Sequence, residues 1–165
     1  LNIREVSVGS TPTAEFAAKV DGITEIRPGT YIFNDMMQVN SKSATIDDCA
    51  AIVLVSVIST PSDDLAVVDG GSKTFSTDAK IDSFPYFLKG YGKILGYDDL
   101  ILDRLWEEHG VIRSGYGKTN LKIGQKLMLI PNHICTTINL HDDVYFKHTD
   151  VSFRKVKVEA RGKLW

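Results

Sequence analysis

The run CAAIVLVSVIS, residues 49–59, constrains the fold more than any other segment. It is dense in β-branched residues, which lose side-chain freedom in a helix and pack well on a pleated surface. A strand of this kind, buried on at least one face, needs partners, and several stretches offer themselves: LAVVDGG (65–71), HGVIRSGYG (109–117), KLMLIPNHIC (126–135) and FRKVKVEARG (153–162). In the last, Lys155, Lys157 and Glu159 alternate with Val156, Val158 and Ala160, so one face is charged and the other mostly apolar. DDLILDRLWEEHG (98–110) fits a helix by periodicity, or a loop leading into a strand. Many short strands separated by Gly and Pro turns predict a mainly β body, a sandwich or barrel. With 165 residues the chain is long enough for one such domain with a real core.

The first residues have a different texture. Ile3, Val6 and Val8 predict a short strand, followed by GSTPTAEFAAKV. Pro12 suits the first position of a helix, Thr11 its N-cap, and Glu15 the positive helix end. Residues 1–23 therefore predict strand, turn and helix, and residues 24–165 the β body. The opening LNIREVSVGS has no initiator Met, basic head or long apolar stretch, so a processed or cut piece is expected.

The net charge of −2 gives no electrostatic case for nucleic acid or an anionic membrane surface. No apolar run approaches the ~20 residues of a membrane span. Two cysteines, Cys49 and Cys135, predict free thiols in a reducing, cytoplasmic compartment.

Several short constellations carry chemistry. In VGSTPT (8–13), Gly9 lets backbone approach an anion, Ser10 and Thr11 offer hydroxyls, and a following helix adds unpaired N–H groups. This is either a phosphate cup or simply a capped turn. In NHIC, if extended, His133 and Cys135 project to one side, and imidazole and thiolate together suit Zn²⁺. Two protein ligands, or three with His141, would leave positions open, as at a catalytic metal; a buried Cys beside a surface His is the plainer reading. WEEHG (106–110) offers carboxylates and an imidazole, or a solvated turn. Lys73 in DGGSKTFSTD sits in a polar, glycine-rich stretch that reads as a turn, and Cys49 reads as core.

Taken in order, VGSTPT, EIRPGTYIFND, DGGSKTFSTD, EEHG and PNHICTTINLHD resemble the C-terminal half of the D-serine dehydratase and D-threonine aldolase family, from about Val6 to Gly162. The resemblance implies an alanine-racemase-type fold. Residues 1–23 would be the last strand and helix of a (β/α)8 barrel otherwise absent, and residues 24–165 the C-terminal β domain. It implies pyridoxal phosphate held by Gly9, Ser10 and Thr11, with Tyr31 nearby, and a zinc or other divalent ion on His133 and Cys135. His141 lies in a resembling block but gains no ligand role. Cys at the second position inclines toward a zinc-dependent dehydratase acting on D-serine, with D-threonine aldolase chemistry as the alternative. The family's cofactor lysine lies in the barrel, so this chain is not expected to catalyse the reaction alone, and Lys73 does not replace it. The expected partners are a D-amino acid substrate, the parent's barrel and a second copy in a homodimer. A non-catalytic β module for assembly or ligand binding is the other class of reading.

Overall fold

The computed structural model describes residues 3–163. Strand β1 (Ser7–Gly9) is followed by a 3₁₀ turn, Thr11–Thr13, and by a single helical turn, α1 (Ala14–Ala17). Strand β2 (Glu25–Arg27) then returns to pair in parallel with β1, Ser7 opposite Glu25 and Gly9 opposite Arg27. The helix is shorter than predicted. Thr11 lies inside the 3₁₀ turn rather than capping an α-helix, and neither Ser10 nor Thr13 makes a side-chain cap. The reason is tertiary: the Thr11 hydroxyl is already engaged by the backbone of Tyr31, with N–H to Oγ1 at 3.2 Å.

After Pro28-Gly29 the chain makes a second 3₁₀ turn, Thr30–Ile32, and then α2 (Met36–Asn40). Another turn, Ile46–Asp48, carries a capping box between Thr45 and Asp48. The run that constrains the fold forms β3 (Val53–Ser62), which turns back as β4 (Leu65–Val68). Beyond α3 (Ser72–Phe75) follow β5 (Gly92–Ile94), β6 (Leu100–Leu105), β7 (Gly110–Ser114) and β8 (Lys126–Pro131). The six strands β3–β8 make one antiparallel sheet in the order β5-β8-β3-β4-β7-β6. Its two edges come together: Tyr91 N–H, just before β5, donates to Leu102 O in β6 at 2.9 Å. The sheet is thus almost closed into a barrel, which limits exposed edges. DDLILDRLWEEHG supplies a strand and a turn, not a helix.

Alternate residues of these strands fill the interior. Val55, Val57, Ala66, Val68, Ile94, Leu102, Ile112 and Leu129 are buried, and Phe75 of α3 closes one end. Cys49 is part of the core. Helix α4 (Ile134–Asn139) leaves the end of β8, and β9 (Asp143–Lys147) pairs with β10 (Phe153–Lys157) as a separate antiparallel ribbon. Among the described residues no helix is long and apolar enough to cross a membrane.

The chain exposes 10802 Å², whereas a compact monomer of 18.3 kDa exposes about 8100 Å². The surplus includes large apolar side chains on the β1–β2 side, with Phe16 at 71%, Ile32 at 61% and Tyr31 at 57% exposure.

Gly71 fixes how α3 meets the β6–β7 turn. Ser72 N–H donates to Trp106 O at 2.7 Å and Lys73 N–H to Glu107 O at 3.1 Å. A Cβ at Gly71 would run into those same two backbone carbonyls, which cannot swing aside. Gly71→Ala is expected to cost roughly 1–3 kcal/mol, read as a lower denaturant midpoint at unchanged slope, whereas Gly29→Ala, which meets open space at a negative φ, should incur no clash.

Candidate functional site

Three segments converge at one end of the barrel: the turn Thr30–Ile32, the residues Ser76–Asp78 after α3, and the β8–α4 junction. The junction is not extended. Helix α4 begins at Ile134, His133 is its N-cap with φ −133° and ψ 106°, and Cys135 is its second residue. The premise that His133 and Cys135 share one side of a strand therefore fails. Asp35, 99 residues away in sequence, is the cause: its Oδ2 accepts from Ile134 N–H at 2.9 Å and supplies the helix start. Thr137 Oγ1 folds back onto His133 O at 2.8 Å and also reaches Phe75 O at 3.0 Å.

Asp35 is fully buried and N-caps α2 as well, its Oδ1 accepting from Gln38 N–H at 3.0 Å. Burial pushes its carboxyl above the usual range, opposed by the hydrogen bonds from Ile134 and Gln38 and by His133. Asn132, also buried, donates to Ala79 O at 2.6 Å and Gly90 O at 2.8 Å, so the approach to His133 is fixed from several directions.

His133 Nδ1 lies 2.7 Å from Asp78 Oδ2. Asp78 Oδ1 accepts from Ser76 Oγ at 2.8 Å and Thr136 Oγ1 at 3.0 Å. Burial would raise the Asp78 carboxyl, but the hydrogen bonds from His133, Ser76 and Thr136 together hold it below its ordinary value. Cys135 is exposed, its Sγ 3.5 Å from Thr30 Oγ1. Among the described residues no three His, Cys, Asp or Glu side chains gather as a metal cluster. The donor set on offer is one imidazole nitrogen and one thiol, with other positions left to non-protein ligands; that is chemistry a zinc ion accepts.

The predicted phosphate residues lie on the other side of the same turn. Tyr31 N–H binds Thr11 Oγ1, and Thr11, Tyr31, Pro28 and Asn34 line one open cleft. Ser10 holds φ at 105°, a conformation that costs a non-glycine residue on the order of 1–3 kcal/mol and that clusters at ligand clamps. The structure thus joins Thr11, Tyr31 and Cys135 through Thr30–Ile32, and His133 through α4. It separates the rest. His141 Nε2 donates to Thr74 O at 3.1 Å, a structural contact. Lys73 is exposed and paired with Glu108 at 2.6 Å and Glu107 at 3.2 Å, which accounts for WEEHG as well.

Asp35, Asp78 and Thr30 were not singled out from sequence. Asp35 had a readable signal: Asp-Met-Met-Gln has the spacing of a capping box. Asp78 closes the DGGSKTFSTD block, where Lys73 draws attention first.

A nearly closed antiparallel barrel behind a short parallel β-α-β unit is an alanine-racemase-like β domain. An alanine racemase-like protein from Idiomarina loihiensis superposes with a TM-score of 0.82 at 27% identity, over 95% of this chain and 44% of its own. Residues 50–147 match the family described as "putative serine dehydratase domain". The chain belongs to this family. D-threo-3-hydroxyaspartate dehydratase of Delftia sp. is 34% identical over 144 residues, 80% of this chain and 38% of that enzyme. D-threonine aldolase of Arthrobacter sp. is 29% identical, over 95% and 39%. D-serine dehydratase of Dictyostelium discoideum is 28% identical, over 88% and 40%. The chain thus spans about two-fifths of these relatives' length. A D-threo-3-hydroxyaspartate dehydratase has been solved as a histidine-to-alanine mutant (TM-score 0.83, 30% identity, 95% of this chain and 43% of that one). It has also been solved with a cysteine two positions further on changed to alanine, in the metal-free form (0.80, 29%, 95% and 44%).

The two thiols differ sharply in environment. Burial, with the nearby charges of Asp35 and Asp48, pushes the Cys49 thiol up to about 11. At pH 8 roughly a thousandth of it would be thiolate, the reactive form. A maleimide or disulfide reagent at pH 8 is expected to label Cys135 alone in the native protein and Cys49 only after denaturation; mass mapping of the modified thiols checks this.

Proposed function

We propose that this chain is the C-terminal part of a pyridoxal-phosphate- and zinc-dependent lyase acting on D-3-hydroxy amino acids, with D-serine dehydratase-like elimination of the hydroxyl group. The observation that carries the reading is the His133–Cys135 pair, the one anchored through Nδ1 on Asp78 and the other exposed. The solved D-threo-3-hydroxyaspartate dehydratase variants support it, since their histidine and cysteine changes have the same two-residue spacing and the cysteine variant is named as metal-free.

On this reading His133 and Cys135 hold the ion, and Gly9, Ser10 and Thr11 hold the cofactor phosphate with Tyr31 nearby; Thr11 and Tyr31 share one cleft, which the carboxylates of Glu15 and Asp48 also line. When bound, zinc would supply Lewis acidity toward the substrate hydroxyl and pyridoxal phosphate an electron sink at Cα. The chain's own contribution is placement. Asp35 and Asn132 fix the helix start that carries His133, Thr30 contacts the Cys135 thiol, and the Thr30–Ile32 turn links Cys135 to Thr11. Residues 1–23 would be the last strand and helix of the parent's barrel and residues 24–165 its β domain. The surplus of exposed surface on the β1–β2 side favours that barrel, and a second copy in a homodimer, as partners. Two unbridged thiols favour a cytoplasmic setting.

Aldolase cleavage of a D-3-hydroxy amino acid such as D-threonine is the second reading, favoured by the match to the Arthrobacter enzyme over 95% of this chain. The soft thiolate at Cys135 favours zinc and the dehydratase branch.

Metal analysis after dialysis against trace zinc is expected to give about one zinc per chain. His133→Ala and Cys135→Ala are each expected to lose it, by more than the 10–100-fold that orienting partners command. A wild-type protein without zinc but with a stable oligomer would instead indicate a non-catalytic module. With the parent's barrel present, pyruvate from D-serine supports elimination; glycine and acetaldehyde from D-threonine, without pyruvate, support cleavage.

A further inference from the structure

We propose that Asp78 is the positioning residue of the metal site: it holds His133 with the proton on Nδ1, so that the Nε2 lone pair is presented to a divalent cation. The inference rests on the metal reading above and adds to it a residue, a tautomer and the ring nitrogen that binds.

The geometry is specific. Of the two ring nitrogens, Nδ1 has a hydrogen-bond partner, Asp78 Oδ2 at 2.7 Å, and Nε2 has none among the described residues. An ionised carboxylate only accepts, so the neutral ring facing it must carry its proton on Nδ1. The carboxylate is itself immobilised. Ser76, in the left-handed region at φ 63°, donates its hydroxyl to Oδ1, and Thr136 from the first turn of α4 donates to the same oxygen. From behind, the His133 carbonyl accepts from Thr137 Oγ1 at 2.8 Å.

Asp78 is placed as an orienter and not as a third ligand. Its two oxygens already receive three donors. Among the described residues no Lys or Arg pairs with it, so His133 is its one ionisable partner. A carboxylate hydrogen-bonded to the non-ligating nitrogen of a metal-bound histidine fixes the ring and raises its basicity. Thr136 ties this contact to the first turn of α4, the helix that carries Cys135.

The test has two readouts. Long-range ¹⁵N–¹H NMR of the histidine rings in the zinc-free protein, at a pH where His133 is neutral, is expected to show the Nδ1–H tautomer. This measurement needs neither a variant nor catalysis. Asp78→Asn can donate to Nδ1 in place of accepting from it. It is expected to shift the ring toward Nε2–H and to weaken zinc, read by chelator competition, by roughly 10–100-fold. An Nε2–H tautomer in the wild type overturns the proposal, whatever the zinc content. So does Asp78→Asn binding zinc within about twofold of wild type while His133→Ala loses it. A wild type with the Nδ1–H tautomer that takes up no zinc overturns the metal reading, and with it the purpose assigned to Asp78.

Discussion

The architecture of the candidate site depends on one buried carboxylate. Helices α2 and α4 have five and six residues, too short to stand without outside support. Each begins with backbone N–H groups that have no partner within the helix. Asp35 answers one such group at each start and is fully buried while doing so. Taking that charge out of water is costly, and burial pushes the group upward; hydrogen bonds to a charged acceptor, about 1.5–3 kcal/mol each, offset the cost. The bond from Ile134 joins chain segments 99 residues apart and sets the direction in which α4 leaves the barrel. His133 and Cys135 inherit their positions from that direction.

The barrel gives this junction something rigid to leave from. Strand β8 lies between β5 and β3, with its inward residues Leu127 and Leu129 in the core. Its end carries Asn132, whose amide is spent on two backbone carbonyls from the Ala79 and Gly90 loops. Gly71 seats α3 against the β6–β7 turn, and the residues just beyond α3 bring Asp78 up to His133. Cys135 is exposed and His133 half-buried, with the buried Asp35, Asn132 and Thr137 behind them, whereas Asp78 meets His133 from the exposed side.

The sheet was legible from the chain because its signal is local. Val and Ile at period two, with Gly and Pro between runs, pointed to β3, β4, β7, β8 and β10. The ordered blocks from VGSTPT to PNHICTTINLHD pointed to the family. The α4 start was hidden because Ile134, Thr136, Thr137 and Ile138 are β-branched and read as strand; what makes the segment helical is a side chain 99 positions earlier. Thr11 was misread for a similar reason, since its hydroxyl serves Tyr31 and not a helix of its own. Lys73 and WEEHG, two separate puzzles on the page, account for each other once the fold sets Lys73 beside Glu107 and Glu108. Asp78 and Thr30 had no outward mark at all: a lone Asp after a Ser-Thr pair and a lone Thr after Pro-Gly become meaningful only through the residues they meet.

The three-residue turn Thr30–Ile32 meets Cys135 with a side chain and Thr11 with the backbone of the very next residue. Evolution or engineering cannot adjust these two ends one at a time. A change that reseats Thr30 also displaces the amide of Tyr31, so substitutions near the thiol and near the Gly-Ser-Thr loop will not contribute independently. Lineages that alter one end should carry a compensating change at the other.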